Sequence, residues 1–244
     1  MLPGGSSGAA MIDGVIFDKD GTLFDFRQSW GGWTARLVRE MAAERGGDEA
    51  QAARLAAAIG YDLTTGTFAD DSPVIAATAD DIAAAMVPLL PGITRAALAA
   101  RMNALAEAAP MAEAVPLLPV LSALKARGLR LGLATNDVEG AARAHLTAHG
   151  VVHLFDMVAG FDSGHGAKPG PGMLLAFAVQ CGLQASRVVM VGDSRHDLQA
   201  GRAAGMRCVA VLTGIAGVAE LAPLADAVLP DIAALGGWID SLSA

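Results

Sequence analysis

From residue 116 onward, short apolar segments alternate with segments of helical pattern. Together with one segment ahead of a long insert, they predict six strands buried on both faces, at residues 13–18, 129–135, 155–160, 187–193, 206–214 and 225–230. Four of the helical segments close on a glycine, as helix carboxyl ends often do. This alternation predicts a doubly wound α/β fold with a parallel sheet and right-handed crossovers.

The stretch of residues 26–112 interrupts the alternation after the first strand. It contains no convincing strand, whereas Trp30, Trp33 and Leu37 recur at helical spacing. Its acidic doublets are interpreted as helix caps rather than as metal ligands. We therefore expect a flexible N-terminal arm at residues 1–10, an α/β core formed by residues 11–25 and 113–244, and an inserted all-helical cap domain at residues 26–112.

Charge and cysteine content limit the partners and the compartment. A formal net charge of −8 and a pI near 5.0 argue against nucleic acid or an anionic membrane as partner, because both attract basic surfaces. The apolar runs are too short to span a membrane, and the first ten residues lack the features of a signal peptide. Cys181 and Cys208 fit buried free thiols in a reducing cytosol. We expect a cytoplasmic protein, monomeric or homodimeric, whose partner is a small molecule.

The ends of the predicted strands are unusually polar. Ligands of open parallel sheets bind at the carboxyl ends of the strands, so polar side chains at these ends are expected to converge. They are Asp18, Asp20, Gly21 and Thr22 after the first strand, Thr135 and Asn136 after the second, Asp193, Ser194 and Asp197 after the fourth, and Lys168 in a loop ahead of a helix.

Carboxylate oxygens at a sheet edge suit Mg²⁺, a hard cation that also binds substrate phosphate. Asp18 and Asp193 would supply the carboxylates, while Thr135 and Lys168 would bind and neutralise a phosphate group. Asp18 is then able to attack phosphorus, and Asp20 to protonate the leaving group and later to activate water. The pattern predicts a Mg²⁺-dependent phosphatase that forms an aspartyl phosphate.

Four motifs, DKDGTLF, LATN, KPGP and GDSRHDLQAG, occur in order over nearly the whole chain and together resemble the haloacid dehalogenase superfamily. The insert is similar to the helical cap of its phosphoglycolate phosphatase-like members. The resemblance implies that Asp18 is the nucleophile and Asp20 the general acid and base. The implied phosphate ligands are Thr135, Asn136 and Lys168, and the implied Mg²⁺ ligands are the carboxylates of Asp18 and Asp193 and the main-chain carbonyl of Asp20. The implied supporting residues are Gly21, Thr22, Ser194 and Asp197.

Other reactions of the superfamily fit the sequence less well. Its dehalogenases lack the second motif aspartate, which is present here as Asp20. Its phosphonate-cleaving members need a cap lysine, and residues 26–112 contain none. A sugar-phosphate mutase uses the same core and stays open as an alternative. A non-catalytic binding protein on the same scaffold is a further alternative, although the motif residues are intact.

The substrate is predicted from the start of the insert. Arg27, Arg36 and Arg39 could bind a substrate carboxylate as a fork, which favours a small anionic phosphomonoester such as phosphoglycolate.

One residue departs from the pattern of many relatives. Lys19 stands between the two motif aspartates, where an aromatic or aliphatic residue is common, and the sequence assigns it no role.

The chain contains five histidines. His145, His149 and His153 recur every four residues, but Gly150 is expected to end that helix, so they are interpreted as a polar helix face rather than a metal site. His165 and His196 lie beside motif residues and are candidates for contacts with them.

Overall fold

Strand β1 (Gly14–Phe17) opens the fold, and all four of its residues are buried. The computed structural model describes residues 11–242, so the predicted flexible arm at residues 1–10 lies outside the described residues. Val15 and Phe17 point to one face of the sheet and Ile16 to the other, as the alternation of side chains along a strand requires. Burial on both faces explains why the segment is continuously apolar.

The insert follows β1 and has a hydrophobic core of its own, which includes Leu37, Met41, Leu55 and Met86. Its elements are α1 (Phe26–Ala43), α2 (Glu49–Ala58), β2 (Tyr61–Asp62), β3 (Thr67–Phe68), α3 (Pro73–Ala76), α4 (Ala79–Met86), a 3₁₀ turn (Val87–Leu89) and α5 (Arg95–Glu107). Helix α4 begins with a capping box between Thr78 and Asp81, in agreement with the predicted capping role of the acidic doublet there.

The insert is helical apart from a two-stranded antiparallel hairpin, β2 with β3, that the sequence analysis did not predict. The side chain of Asp62 accepts main-chain hydrogen bonds from Thr64 at 2.7 Å and from Thr65 at 3.3 Å, and this forms the turn. Gly66 closes the turn with a φ of +70°, a conformation that glycine adopts without strain. Strands of two residues are too short to produce a periodic apolar pattern, which is why the sequence analysis missed them.

The rest of the core returns to the predicted alternation. Its elements are α6 (Leu117–Ala126), β4 (Arg130–Ala134), α7 (Glu139–Ala148), β5 (Met157–Ala159), α8 (Gly172–Cys181), β6 (Val188–Gly192), α9 (Arg195–Ala203), β7 (Arg207–Val211), α10 (Val218–Leu221), β8 (Ala227–Leu229) and α11 (Leu235–Ser241). Three short 3₁₀ turns accompany them, at Val152–Leu154, Ala185–Arg187 and Ile232–Ala234.

The six core strands form one parallel sheet in the order β5-β4-β1-β6-β7-β8. Each of the six predicted strand segments contains one of these strands. Helices α6, α7 and α11 cover one face of the sheet, and α8 and α9 cover the other. The predicted doubly wound α/β core is therefore confirmed.

The two connections between core and insert run side by side. The main-chain N–H of Asp25 donates to the carbonyl of Ala112 at 2.8 Å, and that of Ala114 donates to the carbonyl of Leu23 at 3.0 Å. This pairing holds the insert beyond the carboxyl end of β1. Within residues 11–242, no helix combines the length and the apolar character needed to cross a membrane.

Candidate active site

The predicted site residues converge because β4, β1 and β6 are neighbours in the sheet. Asp18 follows β1 directly, Thr135 follows β4 and Asp193 follows β6, so all three leave the same edge of the sheet. The main-chain N–H of Asp18 donates to the carbonyl of Val191 at 2.9 Å, which extends the strand pairing up to the site. All three side chains are buried.

Lys168 joins two of the buried carboxylates. Its Nζ lies 2.5 Å from Asp18 Oδ1 and 2.6 Å from Asp197 Oδ1. Both carboxylates raise the pKa of Lys168 above its usual value against the opposing effect of burial, so the side chain is a cation. The ammonium group thus lies at the position where it can neutralise an anion bound at Asp18.

Asn136 positions the loop that carries Lys168. Its Oδ1 accepts the main-chain N–H of Lys168 at 2.8 Å, and its Nδ2 donates to the Lys168 carbonyl at 2.9 Å and to the Ala76 carbonyl of the insert at 2.8 Å. Both polar atoms of the side-chain amide are thus engaged with main chain, and the predicted contact between Asn136 and phosphate stays a prediction. Thr135 differs, since its Oγ1 accepts the N–H of Asp137 at 3.1 Å and its hydroxyl hydrogen can still be donated into the cavity.

Three carboxylates form a buried cluster. Oxygen atoms of Asp18, Asp193 and Asp197 lie within 4.8 Å of one another. Burial is the main cause that raises the pKa of Asp18 to about 7, with Lys168 opposing it and neighbouring carboxylates adding to it. Burial, reinforced by Asp197 and Asp18, also raises the pKa of Asp193 well above its usual value.

The supporting residues hold this cluster in place. Ser194 and Asp197 form a capping box at the start of α9, in which Ser194 Oγ donates to Asp197 Oδ2 at 2.7 Å. Thr22 Oγ1 donates to Asp193 Oδ1 at 3.4 Å. Gly21 faces the Asp193 carboxylate so closely that a Cβ atom at this position would overlap it.

The cluster fits a hard divalent cation. Three buried carboxylates surround one ammonium group, which leaves an excess of negative charge that burial makes costly. Carboxylate oxygens are the ligands that Mg²⁺ prefers. Asp18 and Asp193 belong to the predicted ligand set, and Asp197, a predicted supporting residue, lies beside them.

We expect Mg²⁺ at a concentration well above its dissociation constant to raise the melting temperature of the protein by about 3 °C or more, because a cation held by the carboxylate cluster would bind only the folded state. The shift should be larger at pH 8 than at pH 6, since protons compete for Asp18, whose pKa lies at about 7. Thermal melts with MgCl₂, with EDTA and with NaCl of equal ionic strength measure it. An equal shift in Asp193→Asn would contradict this site.

Asp20 lies at the wall of a cavity beside Asp18. Its Oδ1 accepts hydrogen bonds from Trp30 Nε1 at 2.8 Å and from Lys19 Nζ at 3.0 Å. Its side chain is 16% exposed, the exposed part facing the cavity. A carboxyl group in this position can exchange a proton with a molecule bound at Asp18.

A cavity lies between the sheet edge and the insert, and its walls surround about 700 Å³ of space, part of which is open solvent. The core contributes polar groups, including Asp18, Thr135, Lys168 and His196. The insert contributes a wall without charged residues, formed by Trp30, Trp33, Val74, Ile75, Ala76, Ala77, Ala79, Ile82, Met102, Asn103 and Ala106.

The structure does not bring the three predicted cap arginines to this cavity. Arg27 is exposed, Arg36 pairs with Glu40 at 3.6 Å, and Arg39 forms an exposed ion pair with Glu49. The reason is helix geometry, because the face of α1 that carries Trp30 and Leu37 packs inward and the arginines lie on the other face. In this structure the three arginines therefore do not form the predicted carboxylate fork at the cavity.

The histidines also differ from the sequence-based interpretation. His145 is buried rather than part of a polar face, with Nδ1 3.2 Å from Lys19 Nζ and Nε2 2.9 Å from the Ala106 carbonyl. His149 caps α7 and pairs with Glu113, while His165 is exposed and away from the cavity. As predicted, Gly150 follows the end of the helix, with a φ of +70°.

The sequence analysis assigned no role to Asp137, whose Oδ2 lies 3.1 Å from Lys19 Nζ. Its position two residues after Thr135, at a strand end, was a usable signal.

Comparisons with known proteins agree with this arrangement. A model of the haloacid dehalogenase-like hydrolase family matches residues 12–205. A phosphoglycolate phosphatase of Rhodospirillum rubrum is 36% identical over 236 residues, which cover 94% of this chain and 91% of the relative. A crystal structure of a haloacid dehalogenase family hydrolase from Deinococcus radiodurans, with bound phosphate and sodium, is 25% identical, with a TM-score of 0.66 over 96% of this chain and 97% of that one.

A β-phosphoglucomutase from Clostridium difficile has the same fold, with 16% identity and a TM-score of 0.65 over 96% of this chain and 97% of that one. The family match and the similarity to the relative from Rhodospirillum rubrum agree with the hydrolase that the motifs predict. The match over most of the chain and the convergence of its four motifs at one sheet edge lead to one assignment: this protein belongs to the haloacid dehalogenase-like hydrolase family.

Proposed function

We propose that the protein is a Mg²⁺-dependent phosphatase that hydrolyses a small phosphomonoester through an aspartyl phosphate on Asp18. The observation that carries this proposal is the contact between the buried Asp18 and Lys168 at the floor of the cavity, with Asp20 in its wall. A nucleophile, a cation and a proton donor are the groups that phosphoryl transfer through a covalent intermediate requires.

In the first step, Asp18 attacks phosphorus. Lys168 binds Oδ1, so Oδ2 is the oxygen available to form the new bond. The bond from phosphorus to the leaving oxygen breaks, and the protonated carboxyl of Asp20 gives its proton to that oxygen. Mg²⁺, held by Asp18 and Asp193 when bound, would supply positive charge beside the phosphate oxygens.

In the second step, water attacks the phosphorus of the aspartyl phosphate. The Asp20 carboxylate takes a proton from this water, and the bond between Asp18 and phosphorus breaks. Inorganic phosphate leaves and both aspartates return to their starting states. Thr135 and Lys168 bind the phosphate oxygens throughout, in the roles that the sequence predicts for them.

Two classes of substrate are proposed. Phosphoglycolate is the first, since a full-length relative is a phosphoglycolate phosphatase. The second is a phosphomonoester with a neutral, apolar leaving group. It is favoured by the uncharged cavity wall of the insert, which includes Ile82 and Met102 and offers no cation to a substrate carboxylate.

We expect the purified protein to release phosphate from such esters with Mg²⁺ and not with EDTA. Phosphoglycolate and 2-hydroxyethyl phosphate form a matched pair that differs in the carboxylate, and hexyl phosphate extends the neutral series. A higher kcat/KM for phosphoglycolate assigns the anionic class, and a higher value for the neutral esters assigns the apolar class.

Two results would contradict the proposed phosphatase. Conversion of a sugar phosphate into its isomer without phosphate release would favour the mutase. Absence of turnover for every ester, with an intact fold, would favour a binding protein.

A further inference from the structure

Lys19 is a fully buried lysine directly behind Asp20. Its side chain is 0% exposed, and its Nζ lies 3.0 Å from Asp20 Oδ1 and 2.9 Å from Oδ2. The same atom lies 3.1 Å from Asp137 Oδ2, 3.2 Å from His145 Nδ1, and 5.3 Å from the ring centroid of Trp30. Asp20 Oδ1 and His145 Nδ1 are hydrogen-bond partners of the ammonium group, while Asp137 Oδ2 is close enough for an ion pair but has no hydrogen-bond partner.

The cluster places one buried cation, Lys19, between two carboxylates, those of Asp20 and Asp137. Both carboxylates lie within 3.1 Å of Lys19 Nζ, and opposite charges this close favour the ammonium form of the lysine. Burial and Lys19 lower the pKa of His145, so its ring is neutral. Nδ1 then accepts from Lys19, and Nε2–H donates to the Ala106 carbonyl in α5 of the insert.

We propose that Lys19 is a positioning residue that holds the Asp20 carboxyl group in the orientation needed for proton transfer to the leaving oxygen. This inference rests on the proposed phosphatase function. Lys19 contacts both oxygens of Asp20 from behind but does not line the cavity, so it acts on the substrate only through Asp20.

Proton transfer to the leaving oxygen requires the Asp20 carboxyl group to keep one orientation. The terminal torsion of an aspartate is broad, so a carboxyl group with one partner can rotate away from the reacting atom. Trp30 Nε1 contacts Oδ1 alone, whereas Lys19 reaches both oxygens and thereby restricts the rotation. His145 in turn restricts Lys19, since it is fixed between the lysine and the insert. Loss of this alignment lowers the rate of proton transfer without removing the acid.

The test compares kcat/KM for substrates whose leaving groups differ in basicity. A good leaving group such as p-nitrophenolate departs without a proton, whereas an alkoxide needs one, so the dependence of kcat/KM on leaving-group basicity reports the general acid. The parameter kcat/KM covers only the steps up to formation of the aspartyl phosphate, which separates the acid role of Asp20 from its later base role.

For Lys19→Met we expect kcat/KM to fall by about 10²-fold or more with alkyl phosphates and by less than about tenfold with p-nitrophenyl phosphate. Asp20→Asn should show the same selectivity. In the Asp20→Asn background, Lys19→Met should cause no further loss with alkyl phosphates, because the two changes remove one function.

Two further variants keep the test decisive if Lys19→Met folds poorly. Lys19→Met with Asp137→Asn leaves the net buried charge of the cluster unchanged and should give the same selective loss. His145→Leu retains the lysine and its two carboxylates, and we expect a smaller loss of the same selectivity.

Two results would overturn the role of Lys19. One is an equal loss of kcat/KM with all leaving groups in Lys19→Met, and the other is an additive loss when Lys19→Met is combined with Asp20→Asn. Lys19 would then serve only as a partner in a structural ion pair. Wild-type protein without turnover of any ester would overturn the proposed phosphatase itself, and this inference with it. The two failures are distinguished by the wild-type rate with p-nitrophenyl phosphate.

Discussion

Asp18→Asn is expected to lower kcat for phosphate release by about 10⁴-fold or more while the fold is retained. An amide oxygen is a poor nucleophile toward phosphorus, and the variant cannot form the aspartyl phosphate. Asparagine has nearly the same volume as aspartate, and the main-chain bond from residue 18 to the Val191 carbonyl does not involve the side chain. Initial rates with Mg²⁺, together with circular dichroism and a thermal melt, measure both parts of the expectation.

Asp156→Asn is a matched control for this substitution. Asp156 is also paired with cations, Lys125 and Arg130, but lies outside the cavity. Its replacement should leave kcat unchanged. An Asp18→Asn variant that folds and keeps a tenth of the wild-type rate would refute Asp18 as the nucleophile.

The core could be predicted from the sequence because its strands are buried on both faces. Continuous apolar segments such as that of β6 can only be accommodated between two layers of helices, so the layer architecture follows from the pattern. The hairpin of the insert shows the limit of this approach. Its register depends on the turn made by Asp62 and on packing against the insert core, neither of which gives a periodic signal.

The site likewise contains residues whose positions follow from the sequence and residues whose positions do not. Asp18, Asp193 and Lys168 could be predicted to meet, because the sheet topology brings strand ends and the following loops to one edge. The network around Lys19 could not, since its contact with His145 joins residues 126 positions apart and depends on how α7 docks against the insert. The predicted role of the α1 arginines in substrate binding rested on their proximity to the first motif in sequence. It did not take into account that they lie on the face of the helix opposite the buried one.

Lys168→Met is expected to have the second large effect, on both activity and stability. The substitution leaves Asp18 and Asp197 buried without the ammonium group that lies 2.5 and 2.6 Å from them. Removal of one partner from a buried ion pair costs about 3–5 kcal/mol in the free energy of unfolding, and loss of the cation at the phosphate should lower kcat by about 10²-fold or more. Denaturant unfolding at pH 8 in EDTA and initial rates with Mg²⁺ measure the two effects.

The loss of stability in Lys168→Met should be smaller at low pH than at high pH. The pKa of Asp18 in the folded protein, about 7, exceeds its ordinary value, so the folded state binds more protons than the unfolded state between about pH 4 and 7. Removal of Lys168 raises this pKa further, because the lysine lowers it in the wild type. At pH 5 the carboxyl group is neutral and needs no counterion, so Lys168→Met should lose less stability at pH 5 than at pH 8.

The chain contains three lysines, and the one outside the site provides the control. Lys125 pairs with Asp156 at 2.8 Å, but its side chain is 29% exposed, so Lys125→Met should change the free energy of unfolding by about 1 kcal/mol or less and leave kcat unchanged. If Lys168→Met were as stable as Lys125→Met at pH 8, or lost equal stability at pH 5 and 8, the buried carboxylates would not depend on Lys168. The charge balance from which the cation site was inferred would then be wrong as well, since the same excess of negative charge underlies both expectations.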